Sequence, residues 1–247
     1  YEIVSMPPSS SGGVHLIQML NMLEPFSLKE MGFGSAQSIH LMSEVMKRAY
    51  ADRSKYLGDT DFVSVPLKGL TDKEYAKGLL KEISLKKVTP SKSISNGNPL
   101  PYESPDTTHF SVMDSEGNVV SNTYTLNFSY GSGIVIPGTG ILMNNEMDDF
   151  SAKKGVPNAY GLVGYEANAI EAKKRPLSSM TPTIVFKNKK PYLVLGSPGG
   201  SRIITTDLQV ALNVLEHGIN IKKAVASPRI HHQWLPDLLL LEDGFTT

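Results

Sequence analysis

Two threonines carry the chemistry that this sequence offers most directly. Thr107–Met113 and Val119–Leu126 are rich in threonine, valine and aromatic residues, and Asp114-Ser115-Glu116-Gly117-Asn118 lies between them, a pattern that predicts a hairpin. A three-residue loop with Gly117 in the left-handed position makes Asp114 face Asn118. That register sets Thr107 across the ladder from Thr125, hydroxyl near hydroxyl. Threonines meet this way in many sheets for packing reasons alone, and a one-residue slip would part them. Position gives this pair its interest. Residues 84–106 are dominated by lysine, serine, proline, asparagine and glycine with no apolar period, which predicts a mobile loop or linker. A loop that long is uncommon inside a compact domain unless it is functional or processed. Thr107 stands where it ends. A threonine freed as a new amino terminus holds both halves of a nucleophilic centre, because Oγ attacks and its own α-amine takes the proton. A free α-amine has a pKa of about 7.7–8.0, suited to a general base. Before cleavage that nitrogen is an amide, so the chemistry requires the Asp106–Thr107 bond to break.

Other residue groups offer weaker chemistry. Gly196-Ser197-Pro198-Gly199-Gly200-Ser201 follows a predicted strand and precedes a predicted helix, where a phosphate could sit. It has neither the Gly-x-x-x-x-Gly-Lys-Ser/Thr nor the Gly-x-Gly-x-x-Gly order. The acidic run Asn144–Asp149 lacks the spacing of a calcium loop and reads as a solvated turn. His231 and His232 are adjacent and point apart in an extended chain, which disfavours shared metal ligation and suits packing near Trp234. His109 alternates with Thr108 and Phe110 on a strand and reads as a structural hydrogen-bonding residue. Ser178-Ser179 alone would be a turn pair.

The elements that must position these residues are legible in outline. Tyr1–Met6 reads as a strand, Val14–Leu23 as a buried helix, and Ser38–Tyr56 as an amphipathic helix with Ile39, Met42, Met46, Ala49 and Tyr50 on one stripe, stopped by Gly58. That stripe is core and implies no cofactor. Thr71 and Glu74 form a capping-box pattern opening a helix to about Ile83. A second hairpin joins Thr183–Phe186 to Tyr192–Leu195 across Lys187-Asn188-Lys189. Helices follow over about 202–216, closed by Gly218, and 221–226, ending before Pro228. Helices, antiparallel hairpins and helices in that order predict layered α+β rather than a parallel βαβ fold. No internal repeat is visible.

Composition narrows the partners. The 247 residues are 40% hydrophobic, and 24 basic residues balance 24 acidic ones. A chain without basic surplus has little to hold nucleic acid or an anionic membrane. Cysteine is absent, which removes disulfides and thiolate chemistry. No stretch approaches the roughly 20 apolar residues of a membrane span. Both ends, Tyr1 within a predicted strand and Thr247 just after the apolar run Leu238–Leu241, read as cut from something longer.

Four motifs in order then identify a resemblance. Thr107-Thr108-His109-Phe110-Ser111-Val112 resembles the start of the small subunit of γ-glutamyltranspeptidases. Asn144-Asn145-Glu146-Met147-Asp148-Asp149-Phe150, Arg175-Pro176-Leu177-Ser178-Ser179-Met180 and Gly196–Arg202 resemble motifs of the same family, as does Pro7-Pro8-Ser9-Ser10. The likeness covers nearly the whole chain. It implies the four-layer αββα sandwich of N-terminal-nucleophile hydrolases, incomplete here. Residues 1–106 would be the C-terminal part of a large subunit and 107–247 most of a small, catalytic subunit, the two forming one composite domain cut from one precursor at Asp106–Thr107.

The resemblance also implies roles. Thr107 would be the nucleophile and Thr125 its orienting partner. Gly199 and Gly200 would turn their N–H groups on the oxyanion. Asn127, Glu146 and Asp149 would hold the α-ammonium of a γ-glutamyl donor such as glutathione or glutamine, and the two acids suit it as counter-charges. Ser178 and Ser179 would hold its α-carboxylate, and Tyr160 would be the aromatic gate of a lid. Water, or the amine of an amino acid or peptide, would accept the acyl group, with no metal or organic cofactor and with a periplasmic or secreted location. Two departures stand out. The family's arginine on the donor carboxylate, from well upstream, has no match here, and its final strands are missing beyond Thr247. A cephalosporin-type acylase of the same superfamily and a non-catalytic folding or assembly module are the alternatives.

Overall fold

The computed structural model describes residues 1–95 and 108–245. Strand β1 (Glu2–Ser5) leads through residues 6–11 into helix α1 (Gly12–Leu23). The single turn α2 (Leu28–Met31) precedes the long helix α3 (Ala36–Tyr56), followed by α4 (Leu67–Leu70) and α5 (Lys73–Leu80). Strands β2 (Thr108–Met113), β3 (Val119–Tyr124), β4 (Thr183–Lys187) and β5 (Lys190–Leu195) come next. Helices α6 (Ile203–Leu215) and α7 (Ile221–Ala226) and the short strands β6 (Ile230–His231) and β7 (Leu240–Leu241) complete the elements.

The fold is α+β. Antiparallel strands form a three-stranded sheet in the order β1-β4-β5 and the two-stranded pairs β2-β3 and β6-β7. One face of the larger sheet packs Val185, Leu193 and Leu195 against Ala211 of α6. Helix α1 touches α3, α5 and α6, and the main core gathers Leu16, Met19, Leu41, Met46, Tyr50, Leu208 and Trp234 from widely separated segments. The β2–β3 hairpin meets β5, where Ser121 Oγ donates to Leu195 O at 2.9 Å.

Local chemistry explains the boundaries. In the first hairpin Thr108 faces Tyr124 and Met113 faces Val119, the predicted register. Gly117 takes φ 87°, and Asp114 Oδ1 accepts the N–H groups of Glu116 and Asn118 at 2.9 Å each, so one carboxylate organises the turn. The second hairpin is tighter than predicted. Asn188 and Lys189 both take positive φ, 53° and 63°, giving a two-residue turn that pairs Lys187 with Lys190, and a bulge between Val185 and Phe186 absorbs the shift.

Two expectations need correction. The cap of α5 is Asp72, whose Oδ1 accepts from Glu74 and Tyr75 N–H at 2.7 and 3.1 Å. Thr71 instead bonds back to Leu67 O and closes α4. An acid is the better acceptor at the positive end of a helix. The first part of the expected mobile linker, up to residue 95, is anchored. Thr89 N–H donates to Glu44 Oε1, Lys47 Nζ donates to Thr89 O, Asp237 accepts both the N–H and the hydroxyl of Ser91, and Trp234 Nε1 donates to Ser91 O. The remainder, residues 96–106, lies outside the described residues. His232 packs beside Trp234 as expected, its Nδ1 accepting the Trp234 N–H at 3.2 Å.

Candidate active site

The site begins where β3 ends. Asn127 takes φ 74°, and its N–H donates to Thr125 Oγ1 at 2.8 Å. Asparagine tolerates this left-handed backbone better than most residues. The turn is stitched to the acidic segment, because Asn127 Nδ2 donates to Asn145 O at 3.2 Å and Phe128 N–H donates to Asn145 Oδ1 at 3.0 Å. Asp106 and Thr107 lie outside the described residues. Thr108, next to Thr107, pairs with Tyr124, next to Thr125.

Glu146–Asp149 is a short 3-10 turn. Within it Asp148 is already engaged, its Oδ2 accepting the Ala159 N–H at 3.0 Å. Glu146 and Asp149 differ. Among the described residues, Glu146 Oε1 is buried with no hydrogen-bond partner. Asp149 is pushed up to about 8, chiefly by burial and then by the charge of Glu146, while Arg53 works against the rise. Burial raises Glu146 as well. Two acids so placed retain a proton between them near neutral pH.

The serine pair is held from behind by the beginning of the chain. Ser178 N–H donates to Ser9 O at 2.9 Å, and Ser178 O accepts from the N–H and the hydroxyl of Ser11 at 2.9 and 2.8 Å. Ser10 Oγ donates to Met180 O at 2.7 Å. Beneath them Arg53 of α3 donates through Nη2 to Leu177 O and Ser179 Oγ, both at 3.2 Å, and through Nε to Ser11 Oγ at 3.0 Å.

The glycine loop joins β5 to α6. Gly199 takes φ 132° and Gly200 φ 52°, conformations that glycine reaches without strain. A Cβ on Gly200 would also strike the ring of Tyr160. Tyr160 is buried across the loop. Its hydroxyl donates to Asn127 O at 2.7 Å, and its carbonyl accepts from Gln233 Nε2 at 2.9 Å.

These pieces converge. Thr125, Asn127, Asp149, Tyr160, Ser178, Ser179 and Gly200, with Met180 and Ile203, line one narrow cavity. Glu146 adjoins it through Asp149, and Gly199 precedes Gly200. The cavity lining carries one acid, Asp149, and two serine hydroxyls, one of them bonded to a buried guanidinium, so the arrangement suits a zwitterion. A wider groove is lined by His109, Gly196, Gly199, Asp207 and Arg229; it includes the expected Gly199 but neither the acid pair nor Ser178 and Ser179. His109 is hydrogen-bonded there to Thr123 and Ser111 Oγ atoms at 3.0 and 3.1 Å.

Sequence reasoning missed Arg53 and Ser11. A signal existed for the first: Arg53 continues the apolar stripe of Met46, Ala49 and Tyr50, and a charge on a core stripe asks for a buried partner.

The gamma-glutamyltranspeptidase family model matches residues 1–247. The glutathione hydrolase proenzyme of Escherichia coli strain K12 is 58% identical over 246 residues, covering 100% of this chain. The chain spans 42% of that relative's length. A solved Helicobacter pylori gamma-glutamyltranspeptidase T380A mutant is 66% identical with a TM-score of 0.54, over 54% of this chain and 72% of that one. Cephalosporin acylase from Bacillus halodurans is 26% identical with a TM-score of 0.78, over 99% of this chain and 41% of that one.

Proposed function

The chain belongs to the gamma-glutamyltranspeptidase family, and from that premise we propose that the protein is a self-processing threonine amidase that transfers γ-glutamyl groups to water or amines. Thr107 Oγ attacks the carbonyl carbon of Asp106, the acyl group moves from nitrogen to oxygen, and water hydrolyses the resulting ester. This frees the Thr107 amine. The mature Thr107 then attacks the γ-amide carbon of glutathione or a related donor, its amine taking the hydroxyl proton and delivering it to the departing amine. Water, or the amine of an amino acid or peptide, resolves the γ-glutamyl ester and restores Thr107. Thr125 orients the nucleophile. Gly199 and Gly200 serve the oxyanion, Asn127, Glu146 and Asp149 receive the α-ammonium, Ser178 and Ser179 the α-carboxylate, and Tyr160 covers the bound donor.

The observation that carries this reading is the convergence of seven residues from separate chain segments on one cavity, Thr125, Asn127, Asp149, Tyr160, Ser178, Ser179 and Gly200. The hairpin register supports Thr107 as their neighbour, since Thr108 already faces Tyr124. Intact mass of the full-length protein tests it. Two pieces meeting between Asp106 and Thr107, with Thr107→Ala uncut and inactive, are expected. Normal turnover by Thr107→Ala would sink the nucleophile assignment.

An acylase acting on another acyl group is the second reading, favoured by the structural likeness to cephalosporin acylase. The acid pair discriminates, because it needs a cation and a glutaryl group has none. Rates on γ-glutamyl and glutaryl anilides decide between them: a γ-glutamyl preference supports the first reading, a glutaryl preference the second.

A further inference from the structure

We infer that Arg53 is a positioning residue that turns Ser178 and Ser179 into a carboxylate clamp, its buried guanidinium holding the pair from below so that both hydroxyls offer their protons, and a positive field, to an α-carboxylate in the cavity. This rests on the γ-glutamyl donor reading and deepens it.

The hydrogen-bond polarity gives the first argument. Guanidinium and backbone N–H groups only donate, so the hydroxyls they meet must accept. Ser179 Oγ accepts from Arg53 Nη2 at 3.2 Å, and Ser178 Oγ accepts from Met180 N–H at 3.1 Å. Each hydroxyl proton is then left for a group on the cavity side, where an anion is the best acceptor. Arg53 also fixes the backbone of the clamp. It donates directly to Leu177 O, and through Ser11 it reaches Ser178 O.

Charge gives the second. Arg53 is buried at 5% exposure, and its hydrogen-bond partners, Ser11, Leu177 and Ser179, are all neutral. A buried cation with no hydrogen-bonded anion among the described residues carries a desolvation cost that is only partly offset. Tyr50 and then Asp149 offset that burial in part, and Asp149 lines the same cavity as the serines. An α-amino acid head completes both halves: its carboxylate meets the serines in front of Arg53, and its ammonium meets the acid pair. Arg53 thereby selects for a donor that retains its α-carboxylate.

The test uses the full-length protein with Arg53→Lys, Arg53→Met, Ser179→Ala and the Arg53→Met/Ser179→Ala double variant. Two substrates are compared, a γ-glutamyl anilide and the 4-aminobutyryl anilide that lacks only the α-carboxylate. Arg53→Met is expected to raise KM for the γ-glutamyl anilide roughly 10–100-fold, as for a lost hydrogen bond to a charged group, with kcat changed far less. The loss on the 4-aminobutyryl substrate is expected to be at least about tenfold smaller. Adding Ser179→Ala to Arg53→Met should cost little more, because the two act as one unit. Equal losses on both substrates, or additive losses in the double variant, overturn the proposal. If Arg53→Met fails to accumulate, Arg53→Lys decides: it keeps the charge without the forked geometry, and an unchanged preference between the two anilides overturns the inference. A wild-type protein inactive on the γ-glutamyl anilide would sink the donor reading and this inference with it; an active one with unaltered preference sinks this inference alone.

Discussion

Two groups of acids in this molecule, one fully buried at Glu44 and one half-buried at Glu146 and Asp149, behave in opposite ways. On α3, Glu44 is enclosed with Lys47 and Arg48, and it accepts from Lys47 Nζ at 2.5 Å, Arg48 Nη1 at 2.8 Å and Thr89 N–H at 3.0 Å. Burial pushes its pKa up, but Lys47, Thr89 and Arg48 outweigh it and hold the carboxyl down to about 2. In the acidic turn, Glu146 and Asp149 have no hydrogen-bonded cation among the described residues, and Arg53 only partly offsets the rise of Asp149. Among the described residues Glu146 Oε1 lacks a partner, and burial, then the charge of Glu146, raises Asp149 to about 8. The first group is finished by the protein's own cations and ties residue 89 to α3. The second is unfinished, and a ligand cation would complete it. Perturbed acids in a cavity are candidates for function when no bonded counter-charge is found among the described residues.

The comparison is broken most severely at Glu44. Glu44→Ala leaves two buried cations unpaired and is expected to destabilise the protein by about 3–5 kcal/mol, read by denaturant unfolding; a loss below about 1 kcal/mol would mean that the cluster does not hold α3. Asp149→Asn should act the other way round. Stability is expected to hold or rise, since a repulsion is removed, while kcat/KM for a γ-glutamyl donor falls about 100-fold or more for the lost charge partner of the ammonium. Steady-state kinetics beside a melting curve separates these.

Proton linkage sharpens the contrast. Glu44, ordinarily 4.5 and held at about 2 when folded, contributes stability that is present above its ordinary pKa and lost as pH falls toward 2. Asp149, ordinarily 3.8 and raised to about 8 when folded, makes the folded chain hold a proton that the unfolded chain releases, so its turn loses stability as pH rises between those values. Melting temperature against pH should therefore be flatter in Asp149→Asn than in the wild type over that window. Donor binding runs opposite to stability, because the ammonium displaces the shared proton: kcat/KM should climb toward pH 8, and Glu146→Gln should move the part of that rise due to the pair to lower pH. The smallest effect belongs to charges in water. Lys73 and Glu24 lie 2.7 Å apart with both side chains well exposed, and Lys73→Ala should cost less than about 1 kcal/mol.

Much of this was legible before any coordinates. The first hairpin and its register follow from Asp114, Gly117 and Asn118, because turn chemistry acts over a few residues. Helix α7 matched its expected span, and α1, α3 and α6 came within two residues of theirs, since amphipathic period and stop residues are also local. The cap of α5 was misplaced by one residue, where two adjacent candidates, Thr71 and Asp72, competed and the acid won. The candidate site was nameable only as motifs; that Asn127, Asp149, Ser178 and Tyr160 share one cavity could not be read from their spacing.

The sequence by itself determined the local frame: which stretches become helix and strand, where the first hairpin turns, and which residue types are available for nucleophilic chemistry. Those properties depend on neighbours along the chain. Tertiary structure alone decided that Arg53 lies under the serine pair, that residues 89–91 are pinned by Glu44, Trp234 and Asp237, and that of two acid clusters one is paired and the other left wanting a cation. Burial and charge compensation depend on which distant segments pack together, so the same glutamate side chain is a paired strut at Glu44 and, at Glu146, an acid whose Oε1 has no hydrogen-bond partner among the described residues.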